Sequence, residues 1–295
     1  MAKASRALRG RMRSVQNTRK ITRTMELVST SKLKRAQDRV VAARPYASAL
    51  AEVIADLVTP ELAERFPLLR QPAPPSKGGP TKAALLLVTS NRGLAGGFNS
   101  NLIKEARRRL EQLEAAGYQV DLHLIGRKGI GFFKYLGRAI TTQRIDIGDK
   151  PTAAHAGELV QALITEYEAG RLASVDIVYA KFNSPLSTPP TTLRVLPVET
   201  PVKQKGGMKA DYILKPGADQ ILAQLLPLYV RNQVYRGLVE TAAAEHGARR
   251  TAMKSATDNA GEIFELLKRT YNRQRQAAIT QEIAEIVGGA AALEG

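Results

Sequence analysis

The chain has 295 residues, of which 44% are hydrophobic, a formal net charge of +17 and no cysteine. This length is enough for one sizeable domain with extensions or for two modest domains. No run approaches the about 18 uncharged apolar residues that a membrane-spanning helix needs, and we expect no secretory signal, because the basic start lacks an apolar core. The absence of cysteine excludes thiolate metal sites and disulfides.

The positive charge is concentrated at the start of the chain. Residues 1–45 hold 13 Lys or Arg side chains against only Glu26 and Asp38. Such an excess favours an acidic partner surface, a nucleic acid or an anionic lipid, although a solvated helix face is the ordinary alternative.

Apolar residues recur at alternating spacings of four and three over residues 5–57, which is typical of a helix that packs along another helix. The residues in this register are Leu8, Met12, Val15, Leu33, Ala36, Val40, Ala43, Ala47, Leu50, Ile54 and Leu57. Between residues 19 and 29 the register holds only polar side chains, while Ile21, Met25 and Val28 stand one position earlier. We therefore predict an N-terminal coiled-coil helix within residues 1–58 whose apolar stripe changes phase near Met25 and which bends at Pro45.

The segment 67–80 contains five prolines and two glycines, which predicts a linker. Short apolar runs then alternate with helical patterns. Strands are predicted at 82–89, 120–125, 139–143, 175–182 and 192–197, and helices at 99–115, 128–135 and 153–169. This alternation predicts a central Rossmann-like α/β domain over residues 81–205 with a mainly parallel sheet, whose last strand pairs antiparallel because the preceding loop is too short for a crossover.

The chain becomes helical again from 217 to 290. The seam is predicted at Tyr235, Val239, Ala242, His246, Arg249, Met253, Ala256, Ala260, Ile263 and Leu267. About 60 residues of helix extend about 90 Å, which exceeds a compact domain. We therefore predict that this C-terminal helix pairs antiparallel with the N-terminal one, and that Pro227 marks either its start or a kink.

Two glycine-rich turns follow the first two predicted strands, at 89–99 and 126–131. Such turns can hold phosphate on backbone N–H groups, but neither matches the dinucleotide or P-loop pattern, and we favour a structural turn. The three histidines, His123, His155 and His246, have no metal-ligand spacing. No Ser/His/Asp set stands out, so we predict no catalytic residue, no metal and no cofactor.

Five separated motifs together resemble the gamma subunit family of F-type rotary ATP synthases. They are SVQNTRKITRTMELV at 14–28, RPY at 44–46, NRGLAGGFN at 91–99, AMKSATDNAG at 252–261 and ITQEIAEIVGGAAA at 279–292. The resemblance covers both terminal helices and the first half of the central domain, and the motifs occur in the family's order.

The resemblance implies a rotor shaft that couples proton flow to conformational changes at catalytic sites on the beta subunits. It implies as partners a hexamer of three alpha and three beta subunits, the epsilon subunit and the c-subunit ring, with peripheral association at the cytoplasmic face of a bacterial inner membrane. By motif position, Met25 matches a methionine that faces a beta-subunit loop. Arg249, Gln276, Thr280 and Glu282 match positions linked to ring contact and coupling.

Two other classes of protein remain open from the residues alone. A nucleic-acid-binding protein would explain the net charge, but the basic helix carries only one aromatic residue, Tyr46. An α/β enzyme that uses a nucleotide would explain the glycine turns, but it would not explain two long terminal helices.

Overall fold

The computed structural model describes residues 2–72, 78–199 and 217–294, with side chains described within 6–72, 78–199 and 217–289. The chain divides into two compact units. The terminal unit consists of Met1–Ser29 and Arg249–Gly295, and the sheet unit is Thr30–Ala248.

The described residues contain six helices and five strands. Six of these elements lie within two residues of their predicted bounds, four differ by three or four residues at one end, and the short helix α2 was not predicted. The helices are α1 (Ala2–Leu57), α2 (Pro60–Arg65), α3 (Phe98–Ala115), α4 (Arg127–Tyr135), α5 (Ala153–Glu168) and α6 (Ala218–Glu294). The strands are β1 (Lys82–Val88), β2 (Gln119–Ile125), β3 (Thr142–Arg144), β4 (Leu172–Ala180) and β5 (Pro190–Leu196).

The five strands form one sheet in the order β3-β2-β1-β4-β5. The pairs β1–β2, β1–β4 and β2–β3 are parallel, and β5 pairs antiparallel with β4. Every residue of β4 is buried, as is every residue of β1 after Lys82, which is typical of strands covered on both faces. The predicted mainly parallel sheet with an antiparallel last strand is confirmed.

Both long helices contribute to the core of the sheet unit. Alternate residues of β1 point to opposite faces of the sheet, so Leu86 lies in one apolar cluster and Leu87 in the other. Near the end of α1, Ile54 shares the first cluster with Leu226, whereas Ala36 shares the second with Ala243. Early residues of α1 thus pack with late residues of α6, which confirms the antiparallel pairing within this unit.

Within the sheet unit, α6 is buried on all sides over residues 237–247. A Cβ atom on Gly237 would lie 3.1 Å from Ile177 Cδ1, and one on Gly247 would lie 3.1 Å from the Pro185 carbonyl oxygen. The helix approaches the end of β4 closely, where the Ala180 and Phe182 amides donate hydrogen bonds to α6 side chains at 3.2 and 3.0 Å. The predicted single apolar stripe therefore describes only part of the burial of α6.

Pro227 does not start the C-terminal helix, which begins at Ala218 and continues through the proline. Pro45 likewise lies inside α1. Part of the predicted linker (73–77) and the predicted end of the central domain at 205 lie outside the described residues, and the domain boundaries at 1–58, 67–80, 81–205 and 217–290 stay a prediction. Across the ranges that the structure describes, no helix combines the length and apolarity needed to cross a membrane.

Candidate coupling surface on the terminal helices

In the terminal unit, α1 and α6 pair antiparallel. The Arg9 Nε atom donates a hydrogen bond to the Tyr271 hydroxyl at 2.7 Å, and the guanidinium carbon lies 5.2 Å from the centroid of that ring. Further along, the Gly261 backbone lies beside the Arg19 side chain, because a Cβ atom there would be 3.6 Å from Arg19 Cζ. The pairing predicted from the two heptad patterns is therefore confirmed in this unit also.

A polar segment forms part of the seam of this helix pair. Thr22, Glu26 and Ser29 are buried, and the Thr257 hydroxyl donates to the Thr22 hydroxyl at 2.8 Å. The Thr22 hydroxyl in turn donates to the Arg19 carbonyl oxygen at 3.1 Å. Hydrogen bonds of this kind make buried polar side chains tolerable in a seam.

The prediction that the apolar stripe shifts phase near Met25 is therefore wrong. The original register continues through the polar side chains, while Ile21 and Val28 are 60% and 51% exposed. On α6 the predicted seam residue Ile263 is 49% exposed, and its neighbour Phe264 is partly buried instead. In both places the apolar pattern indicates a residue that lies one position before the residue that is buried in the seam.

The five predicted coupling residues fall into two groups. Met25 is partly buried on α1, and Arg249 is buried on α6. The contacts of Arg19 and Thr22 place Met25 near the level of Lys254, which is about 8 Å along the helix axis from Arg249. The second group, Gln276, Thr280 and Glu282, is exposed and begins about 40 Å along α6 from Arg249. The structure thus brings the first two residues to neighbouring levels and keeps the other three apart from them.

Beyond Tyr271, α6 continues past the level at which α1 begins. Over residues 272–289, every described side chain except that of the partly buried Ala278 is exposed. This extension includes four exposed aliphatic side chains, those of Ile279, Ile283, Ile286 and Val287. Their spacing of four, three and one residues places them on one face of the helix, and exposed apolar residues grouped on one face are typical of a contact with a partner.

A second exposed surface on α1 was missed in the sequence. Ile21, Leu27 and Val28 are all more than half exposed, and they lie close in sequence to Met25. Seven exposed cations accompany them on residues 6–29, namely Arg6, Arg9, Arg11, Arg13, Arg19, Lys20 and Arg23. The acidic residue of this stretch, Glu26, is buried and accepts a hydrogen bond from Arg23 at 3.0 Å. The sequence does contain an indication of this surface, because these apolar residues lie outside the heptad register of the seam.

We expect Ala260→Leu to destabilise the helix pair, because Ala260 is only 6% exposed in the seam and overpacking a fitted site costs about 1–3 kcal/mol. Ala277→Leu, on the exposed extension, adds the same atoms without a facing helix and serves as the control. The measurement is thermal unfolding followed by circular dichroism. Equal melting curves for both variants would contradict the close approach of the helices at Ala260.

The sheet unit carries the other sites considered from the sequence, at the carboxyl ends of β1 and β2. The strand order reverses beside β1, where α/β sheets commonly bind ligands, and a cavity of about 560 Å³ opens there. However, the Gly129 amide already donates to Thr89 Oγ1 at 3.0 Å, and the Arg127 amide donates to Asn91 Oδ1 at 3.0 Å. Leu238 and Thr241 of α6 also line the cavity. Because two amides of the turn at 126–131 are already occupied by side chains of the turn at 89–99, these contacts favour the structural interpretation of the turn at 126–131 over a phosphate cradle.

The loop after β3 closes the same edge of the sheet through Asp149. The Asp149 carboxylate accepts a hydrogen bond from the Lys32 ammonium and lies 3.8 Å from His246 Nε2. Burial raises the pKa of Asp149, but Lys32 and His246 outweigh it and hold the pKa below its usual range. The side chain is therefore a carboxylate that ties the loop to both long helices of the sheet unit. Among the described residues, no group of three or more His, Asp or Glu side chains is placed to hold a metal ion.

Comparison with known proteins agrees with this architecture. A family model described as ATP synthase matches residues 4–293. An ATP synthase gamma chain from Gemmatimonas aurantiaca is 61% identical over 296 residues, which is all of both chains. One from Frankia casuarinae is 41% identical and covers 99% of each chain.

The fold also matches a solved structure. A chain of the Euglena gracilis mitochondrial ATP synthase, in a structure of its OSCP, F1 and c-ring, aligns with a TM-score of 0.69 at 16% sequence identity. The alignment covers 99% of this chain and 95% of that one. The matching family model and the full-length identities together show that this chain belongs to the ATP synthase gamma chain family.

Proposed function

We propose that this chain is the central rotor shaft, the gamma subunit, of an F-type proton-translocating ATP synthase. The observation that carries the proposal is the 61% identity to a gamma chain over the whole length of both proteins. The antiparallel helix pair of the terminal unit supports the proposal, because a rotor shaft must contact the surrounding subunits along its length.

In this role the chain transmits conformational change and performs no chemistry of its own. Proton flow turns the c-subunit ring together with the shaft, and the shaft presents a different face to each beta subunit in turn. Coupling then requires that each rotor angle has a different interaction free energy with each state of a catalytic site. The chain therefore contributes contacts whose strength depends on angle, while ATP is made or hydrolysed on the beta subunits.

The partners of this proposal are the alpha and beta hexamer, the epsilon subunit and the c-subunit ring. The complex would hold the chain peripherally at the cytoplasmic face of a bacterial inner membrane. The exposed aliphatic side chains of the α6 extension, such as Ile283 and Ile286, suit a surface enclosed by the hexamer. The exposed cations of α1 suit acidic loops on the beta subunits, since opposite potentials attract across a moving interface.

We further propose that Met25, Gln276, Thr280 and Glu282 form coupling contacts, and that Arg249, which is buried on α6, contributes to coupling through the helix pair. Met25 suits contact with a passing loop, because methionine is flexible and apolar and has no directional hydrogen bond that favours one angle. The exposed Ile21 and Val28 extend this apolar contact along α1. Gln276, Thr280 and Glu282 are exposed on the α6 extension, where a surrounding ring could reach them.

We expect Met25→Lys to leave the complex assembled but to reduce coupling. A lysine at this position would reach an acidic loop, and a hydrogen bond between charged groups contributes about 1.5–3 kcal/mol. Formed at only some rotor angles, it would deepen some angular wells and raise the barriers between them. The measurement is the ratio of proton pumping to ATP hydrolysis in membrane vesicles.

Two control variants make this test specific. Met25→Leu keeps the position apolar and should keep the wild-type ratio. Thr24→Lys adds the same charge at an exposed neighbour that points about 100° away around the helix, and it should change the ratio less. An unaltered ratio in Met25→Lys would show that Met25 is an ordinary residue of the helix surface.

A further inference from the structure

A second cavity of the sheet unit, of about 310 Å³, lies between α1, the end of β4 and α6. Its volume is at the lower limit of the range of about 300–1,000 Å³ that is usual for small-molecule sites. Among its lining residues, Arg44, Ser48, Lys181 and Asn183 are exposed, and all the others are buried or partly buried. Packing of the three elements therefore holds most of the wall in place.

The apolar part of the wall consists of buried or small side chains. Each of the three elements contributes one buried apolar residue, namely Val40, Phe182 and Val239. Three alanines at a spacing of four residues on α1 also line the cavity, namely Ala43, Ala47 and Ala51. Because alanine side chains are short, they leave space beside α1 that longer side chains would fill. A wall of low dielectric constant strengthens the field of the charges beside it.

Three cations from three different parts of the chain line this cavity. They are Arg44 of α1, Lys181 directly after β4 and Arg236 of α6. The one lining carboxylate, Glu240, is 2% exposed and accepts hydrogen bonds from Arg236 Nε at 2.6 Å and from the Phe182 amide at 3.0 Å. This carboxylate therefore presents little surface to a ligand. Three positive charges beside one concealed negative charge favour an anion that carries more than one charge.

The donor groups of these cations are accessible. The Arg44 and Lys181 side chains are exposed, and within the ranges that the structure describes neither side chain forms an ion pair or a hydrogen bond. The Arg236 side chain is 41% exposed, and its bond to Glu240 uses the Nε atom. A guanidinium can bind two phosphate oxygens through its planar fork, and an ammonium adds a point charge with three donors.

We propose that this cavity binds a small inorganic phosphate anion with more than one negative charge, of which pyrophosphate is representative. A single carboxylate would neutralise only one of the three cations. A nucleotide is less suitable, because a volume at the lower limit for small molecules leaves no room for a nucleoside beside the phosphates. None of the proposed coupling residues lines the cavity, and the inference does not rest on the proposed rotor function.

The test is calorimetric titration of the full-length chain with pyrophosphate and, separately, with acetate and with ADP, at neutral pH and constant ionic strength. We expect one pyrophosphate per chain, bound more tightly than acetate by about tenfold or more. ADP should bind no more tightly than pyrophosphate. Absence of pyrophosphate binding, several equivalent pyrophosphates per chain, or equal affinity for acetate would overturn the proposal. Tighter binding of ADP would overturn the assignment to a small inorganic anion.

Variants locate the site. Arg44→Gln and Lys181→Gln should each weaken pyrophosphate binding by about tenfold, because each removes a hydrogen bond between charged groups, and the double variant should abolish it. Both side chains are exposed, so the fold should be retained. Arg35→Gln removes the same charge from an exposed position of α1 outside the cavity and should bind as the wild type does. An equal loss in Arg35→Gln, or undiminished binding in the double variant, would refute the assignment.

Discussion

Gly126→Ala is expected to destabilise the sheet unit by about 4 kcal/mol or more, the largest effect of any substitution considered for this chain. Gly126 has φ +95°, a conformation that side chains rarely adopt. An added Cβ would lie 2.1 Å from the Thr89 carbonyl oxygen and 2.6 Å from its carbonyl carbon. Thr89 cannot move aside easily, because its amide and its hydroxyl both donate to the Ile125 carbonyl oxygen, at 2.8 and 2.9 Å.

The measurement is urea unfolding of the full-length chain, compared with Gly131→Ala. Gly131 lies in the same helix, α4, and an added Cβ there meets nothing within 4 Å. Alanine should therefore stabilise that position by about 0.5–1 kcal/mol, as it does in helix interiors generally. If both alanine variants unfold at the same urea concentration as the wild type, the backbone of Gly126 does not lie as close to the Thr89 carbonyl group as the structure shows.

Arg236→Met is expected to cost about 3 kcal/mol, because it would leave a buried carboxylate without its cation. Glu240 on α6 is 2% exposed, and its carboxylate accepts hydrogen bonds from Arg236 Nε at 2.6 Å and from the Phe182 amide at 3.0 Å. These contacts fasten α6 to the end of β4. The loss should appear as a lower urea midpoint for unfolding of the sheet unit.

Two further variants separate this pair, in which Glu240 is buried and the Arg236 side chain is 41% exposed, from a pair exposed on both sides. Adding Glu240→Gln to Arg236→Met should recover part of the stability, since a neutral amide oxygen can still accept from the Phe182 amide. Arg171→Met breaks an exposed pair with Glu166, in which the two side chains are 56% and 45% exposed, and should cost less than about 1 kcal/mol. Equal losses from Arg236→Met and Arg171→Met would show that Glu240 is better hydrated than its burial indicates.

Several features could be predicted from the sequence because they depend on neighbours in the chain. The short apolar run of β1 and the periodic pattern of α3 gave bounds within one residue of those observed. The heptad spacing of both terminal segments predicted their pairing, since a helix of that length cannot bury its stripe alone. The motifs at 14–28 and 279–292 led to the family that full-length comparison shows.

The placement of polar residues at the seam required the tertiary structure. In the sequence, the polar run between residues 19 and 29 looked like a break in the stripe, and Ile21 and Val28 looked like its continuation. Thr22 can occupy its buried register position because Thr257, 235 positions away, supplies a hydrogen bond. No pattern within one helix contains this information.

The roles of the glycines and of the buried charges were decided by tertiary structure for the same reason. In the sequence, the glycine turns around Gly93 and Gly126 look alike, because each joins a predicted strand to a predicted helix. Yet a Cβ at Gly93 would meet only the end of the Lys128 side chain, at 3.7 Å, whereas one at Gly126 would clash with backbone. Likewise, Glu240 and Arg231 are ordinary charged residues of a helical pattern until β4 and α5 are placed beside them. The sequence by itself thus determined the long helices, the strands of the sheet and the family, because these follow from local periodicity and motif order, whereas the six-residue helix α2 is too short for a periodic pattern to indicate it. Burial, close approach and hydrogen-bond satisfaction were decided only by the elements that the fold brings together.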